Sequence, residues 1–181
     1  MAKGGYISFC LLFLLLLVSV DLGADGVSEC LATKMDRQLG VREAGGNNQG
    51  WKIEQYLASV GLNGGNAWCA SYVHWVLAEC GVKTTITGYS PSAHNRSNIV
   101  YFHGKFRKQP KTGDVFTVYS IRKKRIAHTG FFRERINEKF YLTNEGNAAP
   151  DGWKGNPYEG FGVFEKIRSF NTTYSITRWT E

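Results

Sequence analysis

Apolar residues recur at Ile53, Tyr56, Leu57 and Val60 in "WKIEQYLASVG", the spacing of one helical face, and Gly61 stops the run. The preceding "ECLATKMDRQLGV" reads as a helix ended by Gly40, and the glycine-rich "AGGNNQG" between the two is a loop. A third helix follows, with Asn66 as N-cap, a buried stripe of Tyr72, Val73, Val76, Leu77 and Cys80, and Gly81 as the stop. Cys69 begins that stripe, in the first turn. From residue 110 the period shortens. "DVFTVYSI", "RIAHTGFFRERI", "KFYLTNEGN" and "GFGVFEKI" read as strands, with turns at "IRKKRI" and "INEK". Residues 82–109 carry no clear period: "TTITGYSPSAHNRSN" has loop composition, and "IVYFHGKF" fits a strand or a surface segment. Three helices followed by an antiparallel sheet make an α+β domain.

The N-terminus changes the picture of the compartment. Lys3 precedes an apolar run from Tyr6 to Val20, and small residues follow in "DLGADG", the pattern of a signal peptide cleaved between Gly23 and Gly26. The run is shorter than the roughly 20 residues of a membrane span. Export is therefore expected, to a periplasm, envelope or external medium, with residues 1–26 removed and 27–181 forming one domain with no stable membrane span. The chain carries a net charge of +7. Because the leader holds Lys3 against Asp21 and Asp25, the remainder rises to +8. Such a domain favours anionic partners, and for an exported protein that means an anionic wall or envelope surface before nucleic acid. The basic run from Arg122 to Arg125 sits at a turn and reads as a solvated tip rather than a nucleic-acid site.

Cys69 is the first candidate for chemistry. A thiol in the first turn of a helix faces unsatisfied backbone N–H groups and the positive end of the dipole, which favours the thiolate. The competing readings are a small buried hydrophobe or half of a disulfide. A nucleophile needs a base, and there are four histidines. His74 is five residues on, about 140° round the cylinder, so it points away. His94 and His103 fall in the segment without a period. His128, in "IAHTGFF", opens a strand and is followed by Gly130, which admits close approach of another backbone or a ligand. In the next strand period two puts Glu145 and Asn147 of "EGN" on one face, which a hairpin can lay beside His128. Either side chain there can fix the imidazole tautomer and steady its charged form. An ordinary polar strand end is the alternative.

Together these segments carry a family resemblance. "NAWCASYVHWVLAECGV" resembles the nucleophile helix of CHAP-domain cell-wall hydrolases, part of the wider NlpC/P60-like and papain-like cysteine peptidase group. "PKTGDVF" is similar to the turn leading into the first strand of that sheet, "RIAHTGFF" to the histidine strand, and "TNEGN" to the glutamate–glycine–asparagine segment. "LGVREAGGNNQGWKIEQYL" resembles the stretch before the helix in bacterial members, so the likeness covers nearly all of residues 33–170. It implies a papain-like single domain with Cys69 as nucleophile, His128 as base and then acid, Glu145 as the group orienting His128, and Asn147 as a further polar member. It further implies peptidoglycan as substrate, cut at the sugar–peptide amide or within the peptide stem, and no cofactor. A monomer is expected. A binding-only domain of this type, or a secreted toxin or phage lysin sharing its chemistry, stands as the alternative. The Cys69 N–H is a candidate oxyanion donor. Trp68 and Trp153 line a groove or pack in the core, and "GVREAGGNNQG" shapes the cleft or merely connects helices.

The remaining cysteines argue about themselves. Cys69 and Cys80 lie about 16 Å apart along one helix, beyond the Cα separation of roughly 4.4–6.8 Å that a disulfide allows. Cys10 leaves with the leader. If Cys69 is kept as a thiolate, Cys30 and Cys80 are the pair left to oxidise in an exported protein. The alternative is that Cys80 is a buried apolar residue and Cys30 a free thiol. Positions 30, 69 and 80 have none of the close spacing of a zinc site, so no metal is expected.

Overall fold

The computed structural model describes Met1 and residues 24–155 and 160–181. The leader expected over residues 1–26 lies outside these, apart from Met1 and the residues that open the first helix. Among these residues three helices come first, α1 (Ala24–Gln38), α2 (Trp51–Ala58) and α3 (Cys69–Glu79). Seven strands follow, β1 (Ile99–Phe102), β2 (Lys105–Phe106), β3 (Val115–Ser120), β4 (Arg125–Arg135), β5 (Phe140–Ala148), β6 (Gly162–Ser169) and β7 (Ser175–Thr177). They form one sheet in the order β2-β1-β7-β3-β4-β5-β6, every neighbouring pair antiparallel. The domain is α+β, as the change of period predicts. Among the described residues no helix is long and apolar enough to cross a membrane.

The helices stop where glycine permits a left-handed residue: Gly40 and Gly81 have φ of 84° and 72°. The start of α3 differs from expectation. Asn66 is not its N-cap; its amide donates to the Asn63 carbonyl at 2.9 Å, and Trp68 holds the cap position with no side-chain cap bond. Cys69 is the first helical residue, in the first turn as expected, with Trp68 rather than an asparagine before it. The segment from 82 to 109 resolves into two 3₁₀ turns, Ser90–Ala93 and Arg96–Asn98, and the β1–β2 hairpin.

Alternation in the strands serves two cores. Val115 and Phe131 face the helices, where they join Leu31, Met35, Ile53, Tyr56, Trp68, Tyr72, Val76 and Leu77. Phe116 and Phe132, one residue further on, pack with Val100, Tyr101, Tyr141, Phe170 and Ile176. The predicted bridge is present: Cys30 and Cys80 are joined, with Cα atoms 5.8 Å apart, and Cys69 is free. Since α1 begins at Ala24, the bridge ties the middle of that helix, not its start, to the end of α3.

Two glycines let α3 and β5 approach β4 closely enough to build a site. A Cβ on Gly130 of β4 would meet the Asn144 carbonyl oxygen at 2.9 Å and the Glu145 side chain at 3.1 Å. One on Gly146 of β5 would meet the rings of Trp68 and Tyr72 at 2.7 Å. The absent side chains are what allow Glu145 to lie against β4 and the N-terminus of α3 to lie against β5.

Candidate active site

Cys69, at the N-terminus of α3, opens onto a cleft of about 660 Å³ that His128, Ser90, Tyr89, Asn147 and Trp153 also line. The thiol is buried, with 4% exposure, and its Sγ lies 3.4 Å from the Ser90 hydroxyl. Burial pushes the thiol up. Hydrogen bonding to His128 and its charge, joined by Ser90 and the Thr129 backbone, more than reverse this and hold it below the usual thiol range. Burial likewise opposes charge on His128, but its interactions with Cys69 and Glu145 win and raise it to about 9. A thiol held down and an imidazole held up at one cleft together favour the thiolate–imidazolium form of the pair.

Behind the imidazole stands Glu145, fully buried, whose Oε2 lies 2.7 Å from His128 Nε2. A buried carboxylate is costly unless its oxygens are satisfied. Here they are: Arg168 donates through Nε to Oε1 at 2.7 Å and through Nη2 to Oε2 at 2.5 Å, and the Thr143 hydroxyl donates to Oε1 at 2.6 Å. Burial alone would raise the carboxyl, but Arg168 first and His128 next depress it far below the usual carboxylate range. Glu145 is thus an ionised acceptor fixed by Arg168 and Thr143, and its hold on Nε2 leaves Nδ1 as the ring nitrogen free for the thiol.

Asn147 sits elsewhere in this arrangement. The β5–β6 register shifts between Glu145 and Ala148, and Asn147 takes φ 53°, so the period-two face ends before it. Its amide donates to Asn48 Oδ1 at 2.7 Å, and the imidazole hydrogen bond belongs to Glu145. Through Asn48 it holds the 43–50 loop to the cleft wall. That loop has a second fastening, because Glu43 accepts the Trp68 indole N–H at 2.9 Å and the Asn48 N–H at 2.8 Å. Trp68 itself is core, stacked on Tyr56, whereas Trp153 is half exposed on the cleft.

The other histidines have separate partners. His74 Nδ1 lies 3.2 Å from the Ser59 hydroxyl between α2 and α3, and burial lowers it. His94 Nδ1 lies 2.9 Å from the Ser175 hydroxyl, and His103 occupies the exposed β1–β2 turn. Among the described residues no group of His, Cys, Asp or Glu could hold a metal ion.

Sequence reasoning missed Ser90, Thr143 and Arg168. Thr143 shares its strand face with Glu145, two residues away, a signal that alternation carries. Arg168 lies opposite Tyr141 on the neighbouring strand and reaches Glu145 along the sheet face, a contact that no local pattern marks. The basic run is an exposed turn, as expected, and Arg122, Lys123 and Arg125 also line the cleft. No protein-family model matches this chain, and no curated protein sequence matches it.

Proposed function

We propose that this protein is an exported cysteine hydrolase that cleaves amide bonds of peptidoglycan, either the bond between sugar and peptide or a bond within the stem or cross-bridge, on a papain-like fold of the CHAP and NlpC/P60 type. The observation that carries the reading is that Cys69 and His128 line one open, basic cleft with Glu145 bonded to His128 Nε2 at 2.7 Å behind the ring.

The chemistry follows from that line. The Cys69 thiolate attacks the amide carbonyl, and the oxyanion forms near the N-terminus of α3, where the Cys69 N–H has no intrahelical acceptor. His128 gives its proton to the departing amine, leaving a thioester on Sγ. Water then enters, His128 takes its proton, and the thioester opens to a carboxylate and the free thiolate. Glu145 holds the ring orientation through both steps and stabilises its charged form. No cofactor is required for this cycle.

Purified peptidoglycan sacculi incubated with the protein provide the test. The wild type should solubilise them and Cys69→Ala, with the fold unchanged by circular dichroism, should not. Equal clearing by both proteins would refute the cysteine reading.

A further inference from the structure

Five cationic side chains line the cleft, Arg122, Lys123, Arg125, Lys166 and Arg168, against a single carboxylate among the described lining residues, Asp151. The charges are unevenly committed. Lys166 reaches Asp151 at 2.6 Å and the Ala149 carbonyl at 2.7 Å, and Arg168 is taken by Glu145. Two of the other cations, Lys123 and Arg125, stand on one wall, where β3 turns into β4. Arg125 on that wall is already restrained: its guanidinium lies over the Tyr89 ring, 5.1 Å from the centroid, and Nη1 donates to the Ile126 carbonyl at 2.9 Å. A guanidinium has five donors in a rigid fork suited to carboxylate or phosphate, and one fixed in place loses less entropy on binding. Tyr89 immediately precedes Ser90, whose hydroxyl lies 3.4 Å from the thiol, so this arginine is anchored to the wall of the cleft onto which Cys69 opens. Lys123, exposed at the turn, adds a second cation to the same wall.

We infer that the β3–β4 turn is an anion subsite, built by Arg125 and Lys123, and that the group it takes is a carboxylate or phosphate close in the substrate to the bond Cys69 attacks. The inference rests on the hydrolase reading for its substrate but not for its anion. A cleft walled by one sign of charge concentrates ions of the other sign and steers their approach. Carboxylates of a peptide and phosphates of a wall polymer share this chemistry.

Alkylation of Cys69 tests the subsite without any hydrolysis. Iodoacetate and iodoacetamide differ by one negative charge, so the ratio of their rate constants at Cys69 reports the cleft's preference for an anion and cancels changes in the thiol itself. In the wild type the ratio should fall about fivefold or more between roughly 20 mM and 500 mM salt, as exposed charges are screened. At low salt it should fall by a similar factor in Lys123→Gln/Arg125→Gln. A ratio that ignores salt, or that stays within twofold in a folded double variant, overturns the subsite. A second arm separates the sources: polyglutamate or poly(glycerol phosphate) is added and the slowing of iodoacetamide is measured. Protection by either polymer that is lost in the double variant supports the subsite and names its anion; equal protection of both proteins, or of neither, refutes it. The two readings fail separately. If the ratio responds but peptidoglycan is never cut, the hydrolase assignment falls and the subsite stands. If peptidoglycan is cut equally well by both proteins and the ratio is flat, the subsite falls alone.

Discussion

Reducing the Cys30–Cys80 bridge removes one covalent constraint and leaves both sulfur atoms in place, so it isolates the effect of the cross-link on the unfolded chain. The bridge closes a separation of 50 residues. In the chain-entropy model a loop of that length stabilises the fold by about 4 kcal/mol. A domain of this size gains about 0.3 kcal/mol per kelvin of unfolding entropy at its midpoint, so the same loss lowers Tm by about 8–16 °C. Because Cys80 is buried at 5% exposure, the protein should be reduced in denaturant and refolded before urea titrations of the two forms are compared. The oxidised form should show the higher midpoint, and the reduced form the larger m-value, since its unfolded state exposes more surface. Cys69 lies about 16 Å along α3 from the bridge, so any thiol-dependent activity measured well below the melting point should change less than about twofold. A stability difference below about 1 kcal/mol would refute the loop argument.

Other outcomes follow from the site. The reactive pair exists between the lowered thiol and the raised imidazole, so kcat/KM should be bell-shaped, with an acid limb below the ordinary thiol range and an alkaline limb near pH 9, both belonging to the coupled pair. Glu145 is among the groups that raise His128, so Glu145→Gln should move the alkaline limb down; a limb already at or below 6.5 in the wild type would contradict the pairing. His128→Ala should cost about 10³-fold or more in kcat and His74→Ala only a few-fold; equal loss in two folded variants would show that the histidines are misassigned. Glu145→Gln should lower kcat, whereas Asn147→Ala, by freeing the 43–50 loop at Asn48, should chiefly raise KM. An unchanged KM with a large fall in kcat for Asn147→Ala would place its amide in the chemistry instead.

Local periodicity revealed the elements that are long enough to display it. The three helices and strands β3 to β6 each repeat several times, and their apolar faces mark where the chain folds over. Strand β7 has three residues, too few for alternation to stand out in "NTTYSITRWTE", yet it lies inside the sheet between β1 and β3. Its place depends on long-range pairing with Phe116 and Tyr101. The same division runs through the site. Cys69 was legible from its place at a helix start, and the Cys30–Cys80 bridge from the distance along α3. Arg168 and Ser90 carry no local mark, because their roles arise from strand register and from a 3₁₀ turn folded against α3. The Asn66 cap failed for a related reason: its Nδ2 donates back to the Asn63 carbonyl, and the helix begins further on, behind Trp68, which is buried in the core.

The central claim is that Cys69 opens an amide of peptidoglycan through an acyl-enzyme. Counting the new chain ends in digested, purified sacculi tests it most directly. The account predicts that free amino groups appear one for one with new carboxyl groups, without new reducing sugar ends, and that none appear with Cys69→Ala. New reducing ends, or the same amino groups released by Cys69→Ala, would contradict it.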